Sequence, residues 1–179
     1  MTSFAHQKIT TPAHVDQLPV SLADWPTASR RIAEDMVARY GLPNEATDSQ
    51  LIWHYNSPWR KTTVFREGTL HSFPRPHLDI VAQTVDYDVP IPKIEDLAYF
   101  DGSLVVDITK GELTAHCANE AMNCMVLNLA HDIIIGQRSI DQAREALRQM
   151  SGTFRFNWSP EYGQRLNFDL HMKVRETEQ

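Results

Sequence analysis

The chain reads as an α+β protein: a curved antiparallel β-sheet packed on one long buried helix, with a second amphipathic helix and a C-terminal β-hairpin. Three observations predict it. Short β-branched and aromatic runs separated by turn residues occupy positions 51 to 117. Asn119 then opens an apolar helical stretch that stops at Gly136, and Ser139 opens another. Two runs of alternating polarity close the sequence.

Residues 1 to 20 show no periodicity and read as a partly ordered arm ahead of a single domain at 21–179. A first helix is expected from near Trp25 to Tyr40, with Pro26 in its first turn, Gly41 past its end, and Ile32, Met36, Val37 and Tyr40 on its apolar stripe. Leu51 to Tyr55 reads as a strand. Thr62–Arg66 and Thr69–Phe73 suggest a hairpin turning at Glu67-Gly68. Pro74 and Pro76 make 73–77 a stiff extended connection into a long strand, His77 to Val89. Lys93 to Tyr99 suits one or two helical turns. A hairpin turning at Lys110-Gly111 spans 103–117.

On the long helix, Met122, Met125, Val126, Leu129, Ala130 and Ile133 share a face, while Leu127, Ile134 and Ile135 sit among polar residues opposite. A second sheet or subunit is therefore expected over that side, and a homodimer would satisfy it. Ser139 and Gln142 have the spacing of a capping box at the start of the second helix. The closing hairpin is expected to carry Phe154, Phe156 and Trp158 on one strand, and Leu166 to Val174 on the other.

Seventeen basic against 23 acidic residues give a net charge of −6, and the basic residues are scattered. Nucleic-acid binding needs clustered cations, so no such partner is expected. No run is apolar and long enough to cross a bilayer, and the first residues carry no signal-like apolar stretch. Cys117 and Cys124, if both on the helix, lie about 10.5 Å apart along its axis, so reduced thiols and a cytoplasmic protein are expected.

No Gly-x-Gly, Cys-x-x-Cys, His-Glu-x-x-His or Gly-x-Ser-x-Gly occurs, which removes the familiar nucleotide, redox, zinc-protease and serine-hydrolase signatures. The cofactor and the reaction, if there is one, stay unknown at this level. Three readings remain. The first is a small polar ligand held between sheet and long helix by His131, Asn128 and His77; His131 near a helix C-terminus suits an anion or general-acid role. The second is a metal-dependent enzyme using His71, His77 and Asp79, because His77 and Asp79 share a strand face and His71 adds a third donor. With 8 His in 179 residues, a His-x-Asp pair arises by chance about 0.6 times, so that spacing alone carries little weight. The third is a homo-oligomeric assembly protein without a small ligand. Asp86 with Asp88, and Trp53, Tyr55 and Trp59, are lesser candidates whose plainer roles are a solvated strand end and core packing.

Overall fold

The computed structural model describes residues 14–152 and 160–170. Helix α1 (Thr27–Tyr40) is followed by strands β1 (Glu45–Ala46), β2 (Gln50–His54), β3 (Lys61–His71) and β4 (His77–Asp86). After a 3-10 turn at Ile91–Lys93 come α2 (Ile94–Phe100), β5 (Val105–Asp107), β6 (Glu112–Cys117), α3 (Glu120–Ile134), α4 (Ile140–Gly152) and α5 (Pro160–Gln164). The α+β class expected from the sequence holds: one six-stranded antiparallel sheet in the order β1-β2-β3-β4-β6-β5, with helices packed against it. Among the described residues no helix is long and apolar enough to cross a membrane.

Local signals explain most element ends. Gly41 stops α1 in the left-handed region at φ +80, donating its N–H to Val37 O; a side chain there would be strained. Asn119 caps α3 by accepting from the Met122 N–H at 3.0 Å. Ser139 and Gln142 form the reciprocal box, each side chain accepting from the other's backbone N–H.

The hairpin expected at Glu67-Gly68 is absent. Residues 61 to 71 form one continuous strand, and the turn falls instead at 72–76, between β3 and β4. Gly68 serves close approach, not a turn. A Cβ on it would sit 2.9 Å from Leu78 Cβ and 3.0 Å from Ile80 Cγ1, so only glycine lets β4 lie this near. The pairing register shifts between Val64 and Thr69 and then runs Thr69↔Asp79, Leu70↔Leu78 and His71↔His77. That register sets the two histidines opposite each other.

The core has two parts. Leu51, Val64 and Val81, aligned across β2, β3 and β4, cluster with Ala33, Met36 and Val37 of α1. Val85, Leu113 and Ala115 cluster with the apolar residues of α3 and with Leu97 and Phe100 of α2. Each buried Leu or Met in such a cluster contributes about 1.5–3 kcal/mol. Tyr40 touches both parts, and its hydroxyl bonds Glu120 at the start of α3. Asn123 ties α3 to the sheet through Val81 O and Gln83 Oε1.

On α3 all residues except Glu120, Ala121 and His131 are buried. Its far side meets α2, α4 and α5, where a second sheet or subunit was expected. The expected closing hairpin falls partly on 153–159 and 171–179, outside the described residues. Within 160–170 there is a short helix, Pro160–Gln164, and no strand. Cys117 ends β6, as the hairpin read at 103–117 implies, and both cysteines are free and buried. The expected N-terminal arm lies mostly outside the described residues, which begin at 14 with a 3-10 turn at Val15–Gln17.

Candidate metal centre

The β3–β4 hairpin brings His71 and His77 directly opposite each other, with Asp79 two residues along β4. One donor atom from each of these three side chains lies within 4.8 Å of the other two, and no other group of His, Cys, Asp or Glu is so placed among the described residues. His77 Nε2 stands 3.1 Å from Asp79 Oδ1, and His71 Nδ1 stands 3.5 Å from Asp79 Oδ2. Nitrogen and oxygen donors bound at about 2.0–2.1 Å to a tetrahedral ion stand about 3.3–3.4 Å apart. The two separations bracket that value.

Ring orientation is fixed from outside. His77 Nδ1 lies 2.7 Å from the Arg75 carbonyl oxygen. A carbonyl only accepts, so Nδ1 carries the proton and Nε2 of the neutral ring presents its lone pair inward. On the other imidazole, His71 Nε2 stands 3.5 Å from Asp101 Oδ1, leaving Nδ1 toward Asp79. Metal-ligating histidines commonly have such an outer carbonyl or carboxylate.

Asp101 is itself held: Ser103 donates to its Oδ1 from both backbone N–H (2.9 Å) and hydroxyl (2.8 Å). Its position follows from the end of α2, whose last carbonyls, Tyr99 O and Phe100 O, accept from Arg144 of α4 at 2.7 Å each. The same guanidinium lies 3.9 Å over the Phe73 ring in the hairpin loop. One arginine thus braces both sides of the cluster.

Two buried atoms here, His71 Nδ1 and Asp79 Oδ1, have ion-pair contacts but no hydrogen bond. Buried polar atoms are nearly always hydrogen-bonded, because one left without a bond costs about 1–3 kcal/mol. Asp79 is only 9% exposed and Asp101 2%, whereas His71 and His77 keep 18% and 19%. Solvent therefore reaches the imidazoles more readily than the carboxylates. Asp79, then Cys117, push the His77 imidazole up to about 11 against the opposing effect of burial. Burial pushes the Asp101 carboxyl up. The cluster favours a cation, and without a metal ion a proton serves.

The other candidates are arranged differently. Asn128 is saturated: its amide donates to Tyr162 O (3.0 Å) and Arg165 O (2.9 Å) and accepts from the Asn167 N–H (2.8 Å). His131 Nδ1 pairs with the Tyr87 hydroxyl at 2.8 Å and its ring stacks on Phe168; burial lowers its pKa. His77 belongs to the cluster on β3–β4, where its partners are Asp79, the Arg75 carbonyl and Cys117. Asp86, the last residue of β4, pairs with Arg60 at 3.3 Å. Trp53 and Trp59 are buried in separate parts of the core and Tyr55 is exposed, so the three form no common wall.

Sequence reasoning reached His71, His77 and Asp79 but missed Asp101 and Cys117. Cys117 Sγ lies 3.3 Å from His77 Nε2. Asp101-Gly102-Ser103 is legible as a turn, and Cys117 as a strand end, yet their approach to the histidines depends on α2 docking and on the pairing Val81↔Cys117. No local pattern encodes either.

No protein-family model, no curated protein and no solved structure matches this chain.

Proposed function

We propose that this protein binds one divalent transition-metal ion through His71 Nδ1, His77 Nε2 and the Asp79 carboxylate. The observation that carries the reading is the convergence of three donors, one each from His71, His77 and Asp79, within 4.8 Å of one another. Two of the buried atoms, His71 Nδ1 and Asp79 Oδ1, make ion-pair contacts but no hydrogen bond, and the outer faces of the rings are oriented by Arg75 and Asp101. An ion would satisfy both at once. Two imidazoles and one carboxylate suit zinc, iron, cobalt or manganese. Bound there, the ion would act as a Lewis acid on water or a polar substrate in a remaining position, which is the enzymatic form of this reading.

Asp101 would orient His71 and raise its basicity, and the Arg75 carbonyl would do the same for His77. The residual exposure of both imidazoles supplies a route for solvent. A ligand pocket built on His131 and Asn128 draws less support, because the amide of Asn128 is consumed by backbone partners.

The test is elemental analysis of tag-free protein purified without chelator, followed by removal and return of metal. About one transition-metal ion per chain is expected, lost in His77→Ala. Protein that carries none, and takes up no zinc, cobalt, manganese or iron after dialysis, would overturn the proposal.

A further inference from the structure

We propose that Arg144 is a positioning residue of the metal centre: it holds Asp101 and the β3–β4 loop at the spacing His71 requires, and so sets how tightly the ion is bound. This rests on the metal reading above and extends the centre to α4, a helix that supplies no donor.

His71 ends β3 and Asp101 follows the last residue of α2, so their 3.5 Å contact joins two separate elements. Arg144 spans the same gap. Its Nη1 donates at 2.7 Å to both Tyr99 O and Phe100 O, the two carbonyls just before Asp101. Its guanidinium carbon lies 3.9 Å from the centre of the Phe73 ring, two residues past His71. The last carbonyls of a helix have no partner within it, so a side chain that takes two of them fixes where the chain leaves α2. A planar guanidinium can do this while lying over an aromatic ring; the compact, strongly hydrated ammonium of a lysine is a poor substitute.

The arginine is fixed at its own base. Its neighbours on α4, Ala143 and Leu147, are fully buried in the same cluster as Leu97 and Phe100 of α2, and Phe73 packs against that cluster. The contacts of Arg144 among the described residues are two carbonyls and one ring, with no carboxylate. A cation that merely stood nearby would repel a metal ion, so removing its charge would leave binding unchanged or tighten it. Loss of a brace would weaken binding. The two roles differ in sign.

The test is zinc affinity, read by competition with a chelator of known affinity, in the full-length wild-type chain and in Arg144→Gln, Arg144→Lys, Asp101→Asn and Arg144→Gln combined with Asp101→Asn. Arg144→Gln removes the charge, whereas Arg144→Lys keeps it and loses the plane, so Arg144→Lys decides alone if Arg144→Gln fails to fold. Each is expected to bind at least about threefold more weakly, beyond the scatter of independent sites, and no more weakly than loss of the outer carboxylate, about 10- to 100-fold. Once Asp101→Asn is in place, Arg144→Gln should matter less than about twofold, because residues that act through one another do not add. Unchanged or tighter binding in the Arg144 variants would overturn the proposal even if their urea midpoints fell, and so would an equal loss in both backgrounds. A wild-type chain that binds no zinc, cobalt, manganese or iron would strike down the metal reading, and this inference with it.

Discussion

Two polar clusters of similar composition sit at opposite fates in this fold. At the far side of α3, Asn128, His131 and Asp132 meet α5 and the residues after it; at the end of β3 and β4, His71, His77 and Asp79 meet Asp101 and Cys117. Each combines imidazole with carboxylate, and each is largely buried. In the first, the hydrogen bonds close: Asn128 has three backbone partners, Asp132 Oδ2 accepts from Arg138 and Tyr162 at 2.8 Å each, and His131 has Tyr87. In the second, two buried atoms have no hydrogen bond. Residue type does not separate a structural cluster from a binding one. Saturation does, because a saturated group has nothing left to offer a ligand.

The largest effect should come from breaking the unsaturated cluster. His77→Ala is expected to take bound metal from about one ion per chain to near zero, and to abolish any metal-dependent rise in melting temperature. Asn128→Ala should do the opposite. It leaves Tyr162 O, Arg165 O and the Asn167 N–H without their partner, costing about 2–3 kcal/mol in urea unfolding, with metal content unchanged. If Asn128→Ala lost metal, or His77→Ala kept it, the contrast between the two clusters would collapse.

How much of this was legible in the sequence follows from the range of each signal. The caps at Asn119 and Ser139 and the stop at Gly41 were readable because each acts within a few residues. The turn at Glu67-Gly68 was misread for the same reason. Gly68 has a local meaning, a turn, and a tertiary one, room for Leu78 and Ile80, and only the partner strand distinguishes them. That error concealed the register that sets His71 against His77. His77 and Asp79 were visible through strand alternation. Asp101 and Cys117 arrive from α2 and β6, and no spacing along the chain announces them. The helix at Pro160–Gln164 falls between the two alternating runs, where the sequence reads as the connection of a hairpin.

A smaller effect should come from the outer partner. Asp101→Asn keeps the shape and the Ser103 contacts to Oδ1 while removing the charge 3.5 Å from His71 Nε2. Loss of such a partner typically weakens metal binding about 10- to 100-fold, with stoichiometry at saturation unchanged. Competition against a chelator of known affinity would read this directly. Unaltered affinity would show that His71 needs no carboxylate behind it, and the outer half of the site would shrink to Arg75.

The smallest effect belongs to the saturated cluster and has a defined sign. Burial lowers the pKa of His131 below its ordinary value, partly offset by Asp132, so the fold prefers the neutral ring that accepts from Tyr87 and stacks on Phe168. A histidine with a depressed folded pKa contributes stability that is fully present above its unfolded value near 6.5 and is lost as pH falls through the folded one. His131 should therefore subtract stability as pH falls from 7.5 to 5, opposite in sign to His77, whose raised pKa adds stability as pH falls toward its unfolded value. His131→Gln, which keeps an acceptor and cannot protonate, should lose less over the same interval. Comparing urea midpoints of the two proteins at both pH values isolates His131 from the carboxylates they share. Equal changes would mean the ring is protonated without cost, and the α3 cluster would then be less closed than its hydrogen bonds indicate.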